Sequence, residues 1–513
     1  MELIKKPIRT YRTVDTRETE EMVENSIIVP DSKPDVKSLL VVDAESFVSG
    51  VEKSGRMIEV SGEVKFRILY ISDTPDNRLE SITTRFPWSV SCQKPKVDTE
   101  VGILARCRCQ HSEANAVNGR KIVTRTVMSL VTMFYEIKNN DLGREIAGEN
   151  VFVKNTPVNV VTLKDNMNSV AKVSQTLALP HGSPAIKEIL FSRFNLGNPE
   201  ISYKENEPTM ESKGTLHMLY RGDLAEDSVE SVVLEFPVKM STGVEAGSDN
   251  IVFSSATLKN WDVETVEDTD GMFTQISVSM EIEVDAQAMK HEEQVIVDDA
   301  YSLDSMINLN KAPVNLTTDE RELCENHEAA ARVRLDTDAG SPDEVYMVSA
   351  VNKSVMSNVT DKGINVQGNV GVDIVYCASK KNMDTRSQSV EIPFSRMFQL
   401  PDDGVWQVVE PNFFIEDVAF DIIGSDSVDV TVKTSIKLRL RKTEEISCID
   451  SLEISKEDLS QRKAPIMMYF AQPDDSLWSI AKKYRIPLAR LAQDNNLEAQ
   501  AKLDIGKKMF IMS

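Results

Sequence analysis

Few residues in this 513-residue chain have the types and spacing that catalysis needs. Five histidines, His111, His181, His217, His291 and His327, stand isolated, and none has a second histidine at metal-ligand spacing. Cys107-Arg108-Cys109 is a CxC without a second pair, which reads as two thiols on a strand facing a core. There is no GxxxxGK(S/T) phosphate loop and no Gly-rich dinucleotide turn. The chain therefore reads as non-enzymatic, with no catalytic residue, no cofactor and no metal. What remains is binding, and the candidates cluster near the C-terminus. Asp474, Asp475, Ser476, Leu477 and Trp478 form one loop, Asp504, Ile505 and Gly506 form a second, and Asn496 lies between them in sequence.

These residues need a small scaffold, and the flanking sequence supplies one. Tyr469 to Gln472 is apolar enough for a short strand. Pro473-Asp474-Asp475-Ser476 is a turn, and the Ser476 hydroxyl is placed to cap a helix. Leu477, Ile480, Ala481 and Tyr484 then recur on one helical face. Pro487 ends that helix and suits the start of another, whose apolar face is Leu488, Leu491 and Ala492. Asn495-Asn496 breaks the pattern, and Lys508 to Met512 returns as a second strand. Trp478 and Tyr484 fit either ligand contact or core packing.

This strand-helix-helix-strand order, with Trp478 beside Leu477, resembles the LysM family from end to end. The resemblance implies a groove between the two loops that grips N-acetylated sugars, largely with backbone groups. Two positions depart from the family: Asp474 stands where Gly is usual, and Ile505 stands where Pro is usual before Gly506. Gly permits positive φ and close backbone approach, so the carboxylate and the branched side chain are expected to disfavour sugar and not the fold.

The formal net charge is −23; residues 463 to 513 carry eight Lys/Arg against five Asp/Glu, net +3, so the remainder carries −26. An acidic body argues against nucleic acid and anionic lipid as partners and fits a basic protein. The first residues, MELIKKPIRTYRTVDTRETEE, lack the apolar core of a signal peptide, and no apolar run is long enough to span a membrane. Six scattered cysteines fit a reducing cytosol.

The body repeats with a period of about 150 residues. Ile58, Val60, Gly62, Val64, Phe66, Ile68 and Tyr70 alternate as on a half-buried strand. Ile364, Val366, Gly368, Val370, Val372, Ile374 and Tyr376 repeat the pattern, and Met210, Ser212, Gly214, Leu216, Met218 and Tyr220 form a middle copy. The shared Gly suggests a bulge or a close approach. Phe86-Pro87-Trp88, Phe236-Pro237-Val238 and Ile392-Pro393-Phe394 correspond, and Pro demotes such strands to edges. Pro30-Asp31-Ser32-Lys33-Pro34 corresponds to Pro180-His181-Gly182-Ser183-Pro184 and to Gly340-Ser341-Pro342. The expected fold is mainly β: three tandem β-rich domains at 1–145, 146–294 and 295–445, a charged linker at 446–465, and a small α+β domain at 466–513.

The segment IIVPDSKPDVKSLL, residues 27 to 40, with its Gly-centred strand resembles the SPOCS domain of spore-coat proteins of spore-forming Firmicutes. SPOCS units followed by a LysM domain are the architecture of SipL-like coat morphogenetic proteins. That resemblance implies a cytoplasmic protein of the mother cell, located at the forespore surface. It would act as a coat-assembly scaffold docking its LysM domain on the coat ATPase of the SpoIVA family, with other coat proteins as further partners. The alternative is binding of N-acetylglucosamine-containing glycan, in peptidoglycan or cortex.

Overall fold

A computed structural model describes the chain except for residues 98–99, 205–206, 225–227, 337–341, 380–383, 425, 456–465 and 513. The period-two alternation becomes long antiparallel strands. The first unit runs Glu2–Ile28 (β1), Val36–Ser54 (β2), Met57–Ser72 (β3), Leu79–Gln93 (β4), Gly102–Asn118 (β5) and Lys121–Ala147 (β6). The second runs Val151–Ala178 (β7), Ile186–Leu196 (β8), Glu200–Lys204 (β9), Glu207–Gly222 (β10), Ser228–Ser241 (β11), Ile251–Val266 (β12) and Gln275–Ser302 (β13). The third runs Met306–Arg334 (β14), Glu344–Thr360 (β15), Gly363–Ser379 (β16), Asp384–Phe398 (β17), Trp406–Ile423 (β18) and Ser427–Ser455 (β19). The chain is thus mainly β, with a small C-terminal α+β unit.

Each unit is a pair of antiparallel sheets. The inner sheets have the orders β2-β3-β4, β8-β10-β11 and β15-β16-β17; the outer sheets have the orders β1-β6-β5, β7-β13-β12 and β14-β19-β18. One apolar core lies between the two sheets of each unit; in the first it joins Val60, Val64, Phe66 and Trp88 to Cys109, Met128 and Phe134. Cys107 packs against the same core, so the CxC is structural.

The repeated glycine marks a close approach. Gly62 pairs with Trp88, Gly214 with Phe236 and Gly368 with Phe394, so an aromatic ring lies over each glycine. A Cβ at Gly62 would come within 2.5 Å of the Trp88 ring and 2.0 Å of the Phe47 carbonyl oxygen. Pro87, Pro237 and Pro393 all fall on edge strands, where a missing N–H breaks no ladder. The closing tyrosines pin the turns: Tyr70 and Tyr220 donate to the carbonyls of Pro34 and Pro184, and Tyr376 donates to that of Asp336. Lys33 of the first turn pairs with Glu80 and, across to the second unit, with Glu188. Gly340 and Ser341 of the third turn lie outside the described residues.

Strands run beyond the boundaries expected from composition. β13 continues to Ser302, and β19 continues to Ser455, so residues 446–455 are strand and not linker. Ile446 and Cys448 pack against Ile8, Leu142, Val160 and Ile296 from the other units and against Leu316 of their own. Charges on the other face of this stretch make it look like a linker in sequence.

The three inner sheets meet through equivalent strand pairs. Val41–Leu69, Phe191–Leu219 and Met347–Val375 form one apolar cluster. Two residues further on, the pairs are Asp43–Arg67, Arg193–His217 and Ser349–Asp373. Arg193 donates to Asp43 at 2.7 Å, Asp373 at 2.9 Å and Ser349 at 2.7 Å, while Arg67 donates to Asp43 at 2.7 Å. Burial pushes the Asp43 carboxyl upward, but the guanidinium groups of Arg193 and Arg67 outweigh it and hold the group well below the usual carboxylate range. Removing one member strands buried charge, which costs about 3–5 kcal/mol. Asp43→Ala is therefore expected to lower stability by about that amount in urea unfolding of the full chain.

Candidate functional site

The C-terminal unit is built from Ile466–Phe470 (β20), Leu477–Tyr484 (α1), Leu488–Asp494 (α2) and Lys508–Met512 (β21). Its core is Leu477, Ile480, Ala481, Ile486, Leu491, Ala492, Met509 and Ile511. Ser476 caps α1: its hydroxyl accepts from the Ser479 amide at 3.0 Å, and the Ser479 hydroxyl accepts from the Ser476 amide at 2.9 Å. Pro487 is the N-cap of α2.

The two candidate loops lie side by side. The amide of Ala471 donates to Lys507, the amide of Gly506 donates to Ala471, and Ser476 bridges to Lys502. Within the first loop Asp475 is committed to structure. One of its oxygens accepts from the Gln472 amide at 2.8 Å and from the Tyr469 hydroxyl at 2.7 Å, and these bonds hold its carboxyl below the usual range. Leu477 is core. Asp474, Asp504, Ile505 and Gly506 are exposed, and Asn496 is exposed at the end of α2. Of the nine candidates, these five remain free to meet a ligand.

Asp474 has φ 67 and Gly506 φ 80. Asp474 thus adopts the left-handed conformation that a glycine supplies at low cost. The departure from Gly leaves the backbone in the conformation a glycine would adopt, in line with the expectation that it disfavours sugar and not the fold. A Cβ at Gly506 would meet open space, so that position is set by backbone conformation and not by crowding.

Residues 470–511 match the family model of the LysM domain. A search of curated proteins and one of solved structures returned no match. The LysM domain supports binding of a glycan or of a protein. No helix among the described residues is long and apolar enough to cross a membrane.

Trp478 has another use. Its indole donates to Asp299 of β13 at 2.8 Å and meets the Tyr301 ring edge-on at 5.0 Å. Lys482 pairs with the same carboxylate. The Tyr301 hydroxyl donates to the Ile486 carbonyl at 2.8 Å, and its ring stacks on Phe152 at 5.2 Å. Burial raises Asp299, but the bonds from Lys482 and Trp478 outweigh it and lower it. The LysM domain is therefore seated on the end of the second unit; residues 456–465 of the charged linker expected before it lie outside the described residues. Asp299, Tyr301 and Phe152 were not found by reasoning from sequence. A signal existed: the first and third units carry no aromatic residue at the corresponding strand ends.

Two measurements check these assignments. Asp474→Gly is expected to leave the melting temperature unchanged or raise stability by up to about 1 kcal/mol, whereas Asp475→Ala lowers it by about 1 kcal/mol. The double variant Asp299→Ala/Tyr301→Ala is expected to unseat the domain. Hydrogen exchange should then rise about tenfold or more at residues 299–303 and 478–486 while α2 keeps its protection.

Proposed function

We propose that this chain is a non-enzymatic assembly scaffold that grips a protein partner with the LysM loops and holds it in fixed orientation to the acidic β body. The seat on Asp299 and Tyr301 carries this reading. A ligand held by a seated domain is positioned relative to three interlocked units, which suits building and not searching. The exposed set supports protein recognition: Ile505 offers an apolar contact, and Asp474, Asp504 and Lys502, with the half-buried Lys507, offer charges around it. Individually such exposed charges contribute little, so Ile505 is the expected centre.

The resemblance of the sequence to SPOCS-containing, SipL-like proteins supplies the finer form of the proposal. The partner is then the polymerising coat ATPase of the SpoIVA family, met in the mother cell at the forespore surface. A second reading is favoured by one observation: the left-handed Asp474 preserves the loop path that LysM domains use for N-acetylglucosamine-containing glycan. The two separate by titration of the full chain. Purified ATPase is expected to bind with a Kd that Ile505→Asp weakens at least tenfold, while chitin oligomers give no saturable binding. Saturable chitin binding without ATPase binding would replace the protein reading by the glycan one.

A further inference from the structure

The LysM domain has an open strand edge that its groove does not use. In the β20–β21 pair, the amide of Ala471 donates to Lys507 at 3.0 Å, so alternate residues 467, 469 and 471 face β21. The backbone groups of Ile466, Met468 and Phe470 then point outward, and no strand lies against them among the described residues. Among the described residues only the Phe470 carbonyl has a partner there, the Gln472 side chain. The edge of β21 is closed by contrast: Asn495 both donates to the Phe510 carbonyl and accepts from its amide, at 2.7 and 2.6 Å. The side chains along the open edge are apolar and bare, with Ile466 63 %, Met468 50 % and Phe470 52 % exposed. Ile466–Phe470 itself contains no charged residue and no proline to blunt it.

A second such edge exists on the body. β18 ends its sheet, and its last five residues, Ala419–Ile423, are all exposed. Phe420, Ile422 and Ile423 are 39, 46 and 41 % exposed. The two edges lie at opposite ends of the third unit. Ile423 pairs with Ser427 at one end of β19. Ser455 at the other end pairs with Met306, four residues past the end of β13, where the LysM domain is seated. β19 has 29 residues, which at about 3.3 Å each separates those ends by roughly 95 Å along the strand. One molecule therefore does not close this contact on itself.

We propose that the open edge of β20 pairs with Ala419–Ile423 of a second copy of this chain, so that copies join head to tail. In antiparallel register Ile422, Asp421, Phe420 and Ala419 stand opposite Ile466, Met467, Met468 and Tyr469, so four residues face four. With Phe420 and Ile422 on the face of Ile466, Met468 and Phe470, the apolar side chains form one surface. Asp421 then lies on the side of Tyr469, where the Lys483 ammonium sits over the ring at 4.8 Å. The long-range charges agree, a +3 tip meeting a body of −26. A contact between unlike surfaces at opposite ends does not exhaust itself in a dimer; it extends into a filament.

Sedimentation velocity of the full-length chain over a concentration series tests this. The wild-type mass average is expected to rise continuously with concentration. Met468→Lys and Ile422→Lys, both at exposed positions, are each expected to weaken association at least tenfold and remain monomeric, with thermal melts like wild type. Phe470→Lys and Phe420→Lys serve if either first choice melts early. The decisive sample is the mixture of a β20 variant with a β18 variant: one intact pair of edges remains, so dimers form and nothing larger. Wild type that stays monomeric throughout overturns the proposal, as does a mixture that stays monomeric or proceeds beyond dimers. Ile505 lies outside this contact, so its effect on ATPase or chitin binding is read separately.

Discussion

The Arg193 guanidinium lies buried at the meeting point of the three inner sheets, and it is accommodated because Asp43 of the first unit and Asp373 of the third both reach it. Bare burial of such an ion is prohibitive, so each unit depends on side chains it does not own. Arg67 and Ser349 complete the junction. The apolar contacts of Val41, Phe191 and Met347 lie next to it and add cohesion without direction. The polar contacts set which unit sits where. Three similar sandwiches could slide on a greasy interface; a guanidinium with two carboxylates and a hydroxyl leaves one arrangement.

That arrangement explains why the three units share a backbone and differ in chemistry. At one pair of equivalent positions the side chains are Asp43 and Arg67, then Arg193 and His217, then Ser349 and Asp373. A symmetric choice would have placed three like charges together. Divergence at matched positions is here the means of assembly. The glycine under the aromatic, the edge proline and the turn-pinning tyrosine serve each unit internally, and they recur.

The recurring features were the legible ones. Burial of one strand face leaves an alternation in the sequence, and Gly62, Gly214 and Gly368 keep the register visible. The elements of the LysM domain were equally plain, because capping by Ser476 and the apolar faces of α1 and α2 are local. The junction was not legible, since its partners are about 150 residues apart and chemically unlike. Nor was the reach of β19: Ile446, Cys448 and Ile449 face other units, while the flanking carboxylates of Glu444, Glu445, Asp450 and Glu453 are exposed and imitate a linker. Of the candidate site, sequence located both loops, yet it could not separate Asp475, Ser476 and Leu477, which hold the loop together, from Asp474 and Ile505, which it presents. Trp478 fitted either a ligand contact or a core residue in sequence; it packs against the domain core and also reaches across to a different unit.

The Phe152–Tyr301 pair gives the molecule an unequal surface. Three sandwiches of one design offer three comparable strand ends, and only the middle one has the aromatic and acidic groups to receive the LysM domain. The body has a repeated architecture and a valence of one. An assembly built from such chains gains a single grip per molecule, always on the same side, so the stoichiometry of whatever the loops hold is fixed by the body and not by how many repeats it contains.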